Sequence, residues 1–255
     1  MKILVLDGIG SWNRTSGIID HAVDRLKEKL GCDAKWVNWK AAMAGVGGAG
    51  SWEQNSRDGV ALLVSEFADT TDDFVLLAYS GGNRVVHEFL DECPHLHDRV
   101  KAVGFMSDPW RPRDRWQAGT AKPIGYGVCG EDYGPIPHKT LWTAVHDDVI
   151  TAAWPDALMR LAADLSGGDP DEIVTTAINL AQKGTWQLSW QLGIIQRNPF
   201  GWFIGLPGRV GQLGSDAAGY LSGRHTTAYT QPYRTGDDER SLAVRLADSV
   251  AWKLR

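Results

Sequence analysis

The feature that most constrains the fold is the alternation of short apolar runs with amphipathic segments over residues 1–165. An apolar run of about four to eight residues is typical of a buried strand, whereas apolar residues spaced three and four apart are typical of a helix. Strands that alternate with helices indicate βαβ units, which place their strands in a parallel sheet. The sequence therefore predicts a protein of the α/β class.

Five runs are predicted to be strands, and the third is apolar throughout, so we expect it at the centre of the sheet. The runs are residues 3–6, 35–39, 74–78, 100–106 and 141–146. Thr15 or Ser16 is predicted to cap the first helix and Ser51 the second, because their hydroxyl groups can accept hydrogen bonds from the first helical turn. A third helix is predicted from Asn83, and a last amphipathic helix begins near Leu242.

The composition changes after about residue 168. Asp169 and Pro170 form a strong helix start, since Asp caps a helix and Pro fits its first position. The stretch that follows is rich in aromatic residues and has no alternating strand pattern. We therefore predict a helical insertion over residues 169–222 and an α/β core made of residues 1–168 and 223–255.

Charge and hydrophobicity exclude several classes of protein. The chain has 26 Lys and Arg against 31 Asp and Glu, a net charge of −5, so it lacks the clustered cations of a nucleic-acid groove or a polybasic membrane anchor. No apolar run approaches the roughly 18 residues of a membrane-spanning helix, and the first run reaches Asp7 too early for a signal peptide. Three cysteines without a CxxC spacing predict no disulfide framework. We expect no nucleic-acid partner and no integral membrane segment.

Residues 78–82, Ala-Tyr-Ser-Gly-Gly, stand between the apolar third strand and the helix that follows it. Esterases hold a nucleophilic serine on a sharp strand-to-helix turn, and small residues two positions before and after it let that strained turn form. Ala78 and Gly82 are such residues, and Ser80 would lie at a helix N-terminus, which favours developing negative charge. Ser80 is a candidate nucleophile; a turn with an incidental serine is the alternative.

The order of residues along the chain supports this nucleophile. In α/β-hydrolases the catalytic acid follows the serine and the histidine follows the acid. Asp147 and Asp148 come directly after the last predicted strand, and His225 is the one histidine in the sequence beyond them. His225 is therefore the candidate general base, with a solvated loop histidine as the alternative.

Two other clusters contain residue types that bind metals. Cys93, His95 and His97 lie where the third helix is predicted to end, and cationic residues near a helix C-terminus explain them without a metal. His146 and the two aspartates after it have no fourth ligand nearby in the sequence. The Gly-Ile-Gly loop after the first strand lacks the third glycine of a dinucleotide-binding fingerprint. We predict no metal site and no cofactor.

Five segments together resemble the lysin B enzymes of mycobacteriophages, which are cutinase-like serine esterases of the α/β-hydrolase fold. The segments are LVLDGIG (4–10), LLAYSGG (76–82), GFMSDPW (104–110), AVHDDVI (144–150) and GRHTTAY (223–229). The resemblance implies a central, mostly parallel sheet with flanking helices and a helical insertion between the catalytic acid and histidine. It also implies a triad of Ser80, Asp148 and His225, with Asp147 as a neighbour of the acid.

The oxyanion of the reaction needs two backbone N–H donors. One is expected at Gly81, the residue after the nucleophile, and the resemblance points to Ile9 for the other. Trp202 and Phe203, within the predicted insertion, are the candidate wall of an acyl groove, because each buried methylene contributes about 0.8 kcal/mol. The alternative is that these two aromatic residues pack the insertion onto the core.

Lysin B enzymes release mycolic acid from arabinogalactan at the end of a phage infection, so the resemblance implies hydrolysis of a mycolyl-arabinogalactan ester or another long-chain lipid ester. We expect a monomer, made in the cytoplasm of a host bacterium without a signal peptide and acting at the host envelope. A general cutinase-like lipase and an acyltransferase are alternatives, because they share the acyl-enzyme. A catalytically inactive lipid-binding protein of the same fold is an alternative from another class.

Overall fold

Five parallel strands form one sheet in the structure, a computed structural model that describes residues 1–13, 15–43, 47–157, 159–160, 212 and 223–255. The strands are β1 (Lys2–Leu6), β2 (Ala34–Trp36), β3 (Phe74–Tyr79), β4 (Val100–Met106) and β5 (Thr140–Thr143). Their order is β2-β1-β3-β4-β5, and every neighbouring pair is parallel. The predicted α/β class is confirmed, and β3 is buried at the centre of the sheet, as predicted.

Helices cover both faces of this sheet. They are α1 (Asp20–Leu30), α2 (Trp52–Ala68), α3 (Gly82–Glu92) and α4 (Leu242–Lys253), with short 3-10 helices at Pro94–Arg99 and Thr227–Tyr229. Alternate residues of a strand point to opposite faces. Leu4 and Leu76 therefore pack with residues of α2 and α3, while Ile3 and Val75 pack with residues of α1 and α4. Burial on both sides explains why these strands are apolar throughout.

The start of α1 differs from the prediction. The helix begins at Asp20 and has Ile19 at its N-cap position, so the predicted cap at Thr15 or Ser16 is wrong. Ser16 instead donates from its N–H and its Oγ to the Asp7 carboxylate, at 2.6 and 2.7 Å. A buried carboxylate needs such donors, and this tertiary contact takes the serine away from the helix.

The other element boundaries are closer to the prediction. Ser51 caps α2, as predicted, because its Oγ accepts a hydrogen bond from the N–H of Gln54 at 3.2 Å. β2 ends at Trp36 and β5 at Thr143, although the apolar pattern of each continues for about three more residues. Residues 169–222 lie outside the described residues apart from Gln212, and so do Trp202 and Phe203, so the predicted insertion stays a prediction.

The strand register brings several loops to one level at the carboxyl edge of the sheet. Ala78 is paired with Leu6, and Met106 is paired with both Tyr79 and Thr143. The segments that follow β1, β3, β4 and β5 therefore leave the sheet side by side. The strand order reverses between β1 and β3, and ligands of open α/β sheets bind at such a switch point. A site is expected where the loop after β1 meets the turn after β3.

Candidate active site

Ser80 occupies the turn between β3 and α3 with a φ of +50°. This left-handed conformation is strained for a residue with a side chain, and it is the geometry of a nucleophile on a strand-to-helix elbow. Close backbone packing explains the glycine two positions later, because a Cβ atom on Gly82 would lie 2.3 Å from the carbonyl oxygen of Leu6. With the parallel sheet order, this elbow confirms the predicted α/β-hydrolase fold.

Asn83 fixes the backbone of the elbow. Its side-chain amide donates to the carbonyl oxygens of Ser80 at 2.8 Å and of Met106 at 3.1 Å, and the N–H of Ser80 also donates to Met106. Asn83 is fully buried, so these bonds form away from competing water. The strained turn is thereby tied to the end of the neighbouring strand β4.

His225 faces Ser80. Its Nε2 lies 2.7 Å from the Oγ of Ser80, and only 4% of the residue is exposed. The imidazole stacks on the ring of Tyr79 with 5.4 Å between centroids, and the Tyr79 hydroxyl donates to the His225 carbonyl oxygen at 2.5 Å. Packing and a hydrogen bond therefore hold the imidazole against Ser80.

Asp148 lies behind the imidazole. Both of its carboxylate oxygens are 3.2 Å from the Nδ1 of His225. Oδ2 also accepts from the hydroxyl groups of Ser107 at 2.5 Å and Tyr229 at 2.8 Å, and Oδ1 accepts from the N–H of Ile150 at 3.1 Å. Burial by itself would raise the pKa of Asp148, but the facing imidazole and these donors outweigh it and hold the pKa below its usual value. Asp148 is therefore ionised at neutral pH.

The Tyr229 hydroxyl contacts both the Asp148 carboxylate and the backbone of the loop that contains Asp148. Burial, together with the charge of Asp148, raises the pKa of the Tyr229 phenol well above its usual value, so the hydroxyl keeps its proton and donates it. The same oxygen accepts from the N–H of Val145 at 3.1 Å. The histidine loop and the acid loop are thus held together by one phenol.

Asp147 points elsewhere. Its carboxylate lies 3.2 Å from the Nε of Arg224 and 3.3 Å from the Nδ1 of His146, and both partners are substantially exposed. Of the two adjacent acids, Asp148 is the one that contacts His225. The structure brings Ser80, His225 and Asp148 together in the order that the sequence suggests.

The two candidate oxyanion donors are also neighbours. A Cβ atom added to Gly81 would lie 2.6 Å from Cγ1 of Ile9 and 3.4 Å from its backbone nitrogen. The loop after β1 therefore runs directly beside the residue that follows Ser80. Gly81 and Ile9 are therefore adjacent, and Gly81 directly follows Ser80, so both residues remain candidate donors to an oxyanion.

Ser107, Asn83 and Tyr229 were not identified as site residues from the sequence. Ser107 directly follows β4, which neighbours β3 in the sheet, so its position at a strand's carboxyl end was a usable signal. Asn83 and Tyr229 carry no such signal, because their roles depend on which side-chain atoms meet after folding.

A second histidine–aspartate cluster lies on the α3 side of the sheet. The Nε2 of His87 is 3.1 Å from Oδ2 of Asp108, and its Nδ1 is 3.2 Å from Oδ2 of Asp132. The indole N–H of Trp142 donates to Asp108 at 2.9 Å. Burial lowers the pKa of His87, but the two carboxylates outweigh it and raise the pKa to about 10. His87 is a buried cation that joins α3 to the segment after β4.

The described part of the chain has neither a metal-ligand cluster nor a membrane-spanning helix. No group of three or more His, Cys, Asp or Glu residues there has an arrangement that could hold a metal ion. The predicted helix end before His95 and His97 is present, since α3 ends at Glu92 and a 3-10 helix follows. No described helix is long and apolar enough to cross a membrane.

Comparison with known proteins finds similar structures. No model of a known protein family and no curated protein sequence matches the chain. Lysin B from Mycobacteriophage D29 is 19% identical with a TM-score of 0.47, over 78% of this chain and 88% of that one. A cutinase-like protein from Cryptococcus sp. is 14% identical with a TM-score of 0.45, over 66% of this chain and 95% of that one. The catalytic core domain of acetyl xylan esterase from Trichoderma reesei is 17% identical with a TM-score of 0.43, over 75% of this chain and 98% of that one.

Proposed function

We propose that this chain is a serine esterase that hydrolyses mycolyl or similar long-chain lipid esters of the mycobacterial envelope, releasing mycolic acid from arabinogalactan during phage-induced lysis. The observation that carries the esterase part is the 2.7 Å contact between the Oγ of Ser80, on a left-handed elbow, and the Nε2 of His225. A hydroxyl in this position can lose its proton to the imidazole as it attacks a carbonyl carbon.

The first half of the reaction forms an acyl-enzyme. The Oγ of Ser80 attacks the ester carbonyl while the Nε2 of His225 takes the hydroxyl proton. The N–H groups of Gly81 and Ile9 stabilise the resulting oxyanion, and each such donor is worth about 3 kcal/mol in related sites. The carbon–oxygen bond to the alcohol then breaks, and His225 returns the proton to the leaving alkoxide.

The second half repeats these steps with water. His225 removes a proton from a water molecule, the hydroxide attacks the acyl carbonyl, and the bond to Ser80 breaks as the serine regains its proton. The free acid leaves and the site returns to its starting state. Asp148, which is ionised, stabilises the imidazolium that forms in each half and keeps the Nδ1 proton in place.

The substrate class rests on the resemblance of the five segments to lysin B enzymes, and on the aromatic residues predicted in the insertion. We propose that Trp202 and Phe203 line a groove for the acyl chain. Replacing both with Ala should raise KM for long-chain 4-nitrophenyl esters much more than for the butyrate ester. Equal losses on both esters, or a lower unfolding temperature, would assign these residues to the packing of the fold instead.

One incubation tests the proposed substrate. Purified protein and the variant Ser80→Ala are each incubated with mycolyl-arabinogalactan, and free mycolic acid is measured by mass spectrometry. Release by the wild-type protein alone is the expected result. Hydrolysis of 4-nitrophenyl butyrate without mycolic acid release would leave a general lipase, and an ester product formed with added alcohol would indicate an acyltransferase. No turnover of any ester would favour the lipid-binding alternative.

A further inference from the structure

Ser107 lies at the contact between the triad acid and the triad histidine. Its Oγ is 2.5 Å from Oδ2 of Asp148 and 3.0 Å from Nδ1 of His225. The residue is fully buried, so its hydroxyl meets protein groups and not solvent. Neither half of the esterase reaction requires a group in this place.

The backbone of Ser107 is strained. Its φ is +52°, and among the described non-glycine residues only Asn13 and Ser80 also have a positive φ. Glycine adopts this conformation without a steric cost, whereas other residues lose on the order of 1–3 kcal/mol. Two of these three strained residues, Ser80 and Ser107, therefore lie in the cluster around His225. Residue 107 has a side chain although glycine would relieve the strain there.

The main chain holds this turn without help from the hydroxyl. The N–H of Ser107 donates to the carbonyl oxygen of Thr143 at 3.2 Å, and its own carbonyl oxygen accepts from the amide of Asn83 at 3.3 Å. These contacts fix the turn to β5 and to α3. The hydroxyl takes no part in fixing the backbone, so its hydrogen bonds go to Asp148 and His225.

The donors and acceptors around the Ser107 hydroxyl determine the direction of its hydrogen bonds. A serine hydroxyl has one proton and can accept with its lone pairs. Asp148 is ionised and has no proton to give, so the 2.5 Å contact is a donation from Ser107 to the carboxylate. The lone pairs of the same oxygen then face the Nδ1 of His225, which must carry its proton if Nε2 is to accept from Ser80.

We propose that Ser107 is a positioning residue of the triad, which orients the Asp148 carboxylate and shares the Nδ1 proton of His225 with it. This inference rests on the proposed esterase function. The strained turn is the device that places the hydroxyl there, because the left-handed conformation turns the side chain back toward the acid loop. Removing the hydroxyl frees the carboxylate and the imidazole to move relative to Ser80.

The test compares Ser107→Gly and Ser107→Ala with a matched control, Asn13→Gly, which relieves strain at a left-handed position outside the triad. Ser107→Gly should unfold close to the wild-type temperature, because the relief of backbone strain offsets the lost hydrogen bond to the buried carboxylate. Its kcat for 4-nitrophenyl butyrate should fall by about 10- to 100-fold, the loss expected when a reacting group is misplaced by about 1 Å. KM should stay constant, and Asn13→Gly should keep wild-type kcat.

A proton NMR measurement separates positioning from a structural role and needs no turnover. The Nδ1 proton of His225 should give a low-field resonance in the wild-type protein that shifts in Ser107→Gly and stays in place in Asn13→Gly. An unchanged resonance with wild-type kcat in a folded variant would overturn the proposal, and so would failure of both Ser107 variants to fold. If the wild-type protein hydrolyses no ester, the proposed function fails, whereas the resonance still reports whether Ser107 shares the proton.

Discussion

The described part of the chain contains two buried histidine–aspartate pairs, which differ in the group that faces the second ring nitrogen of the histidine. His225 against Asp148 and His87 against Asp108 have nearly the same separation, 3.2 and 3.1 Å. Both histidines are less than 7% exposed. The other nitrogen of His225 faces the hydroxyl of Ser80, whereas the other nitrogen of His87 faces a second carboxylate.

The group at the second ring nitrogen determines whether each histidine can act as a base. With carboxylates on both sides, His87 has a pKa of about 10 and holds its proton at neutral pH, so it cannot act as a base. His225 has a neutral hydroxyl at Nε2 and can accept that hydroxyl's proton. A buried histidine–aspartate pair is therefore not by itself a catalytic signature; a nucleophile at the second nitrogen makes it one.

The two pairs meet at the end of β4. Ser107 contacts the His225 pair and the next residue, Asp108, forms the other pair. The two side chains diverge to opposite sides of the sheet, one toward Tyr229 and the other toward α3. One turn therefore supports the proposed catalytic cluster on one side and a structural ion cluster on the other.

Removing the hydroxyl of Ser80, the proposed nucleophile, should give the largest effect. Ser80→Ala deletes the attacking oxygen, so kcat for 4-nitrophenyl butyrate should fall by about 10⁴- to 10⁶-fold. The unfolding temperature should change little, because the φ of the turn is equally strained for Ala. A wild-type rate in the folded variant would remove Ser80 from the reaction and make the His225 pair as structural as the His87 pair.

Matched substitutions of the two buried acids should distinguish the effect of each pair on kcat from its effect on stability. Asp148→Asn should lower kcat by about 10⁴-fold, since an amide favours the wrong imidazole tautomer. Asp108→Asn should leave kcat within a few-fold and lower the free energy of unfolding by about 3–5 kcal/mol, because it breaks a buried ion pair. The measurements are ester hydrolysis and urea unfolding. A loss of kcat in Asp108→Asn with normal stability would contradict the assignment of the His87 pair to stability and of the His225 pair to catalysis.

The sheet and the meeting of Ser80, Asp148 and His225 could be predicted because their signals are local or ordered along the chain. Apolar runs identify strands, and the segment around Ser80 is a continuous motif. The end of β4 marks Ser107 as a residue near the site, but its contact with Asp148 could not be predicted, because it depends on the strand register and on an unusual φ. The start of α1 was mispredicted because Ser16 binds Asp7 and not the helix.

The protonated state of His87 should make stability depend on pH. Its pKa in the folded protein, about 10, is above its ordinary value of 6.5, so the stabilisation is complete below pH 6.5 and is lost as the pH rises toward 10. The loss should be on the order of a few kcal/mol. Urea unfolding at pH 6, 8 and 10 measures it, and His87→Gln should flatten the dependence. An equal slope in that variant would assign the dependence to other groups.

The smallest effect should come from Asp147, the partly exposed neighbour of the proposed triad acid. Its ion pairs with Arg224 and His146 are solvent-accessible, and such pairs contribute about 0–1 kcal/mol. Asp147→Asn should therefore keep kcat within about three-fold and leave the unfolding temperature nearly unchanged. Measured beside Asp148→Asn under one set of conditions, it is a control that differs by one position in the same loop. A larger loss of kcat in Asp147→Asn than in Asp148→Asn would mean that the acid loop changes its register when substrate binds, with Asp147 then facing His225.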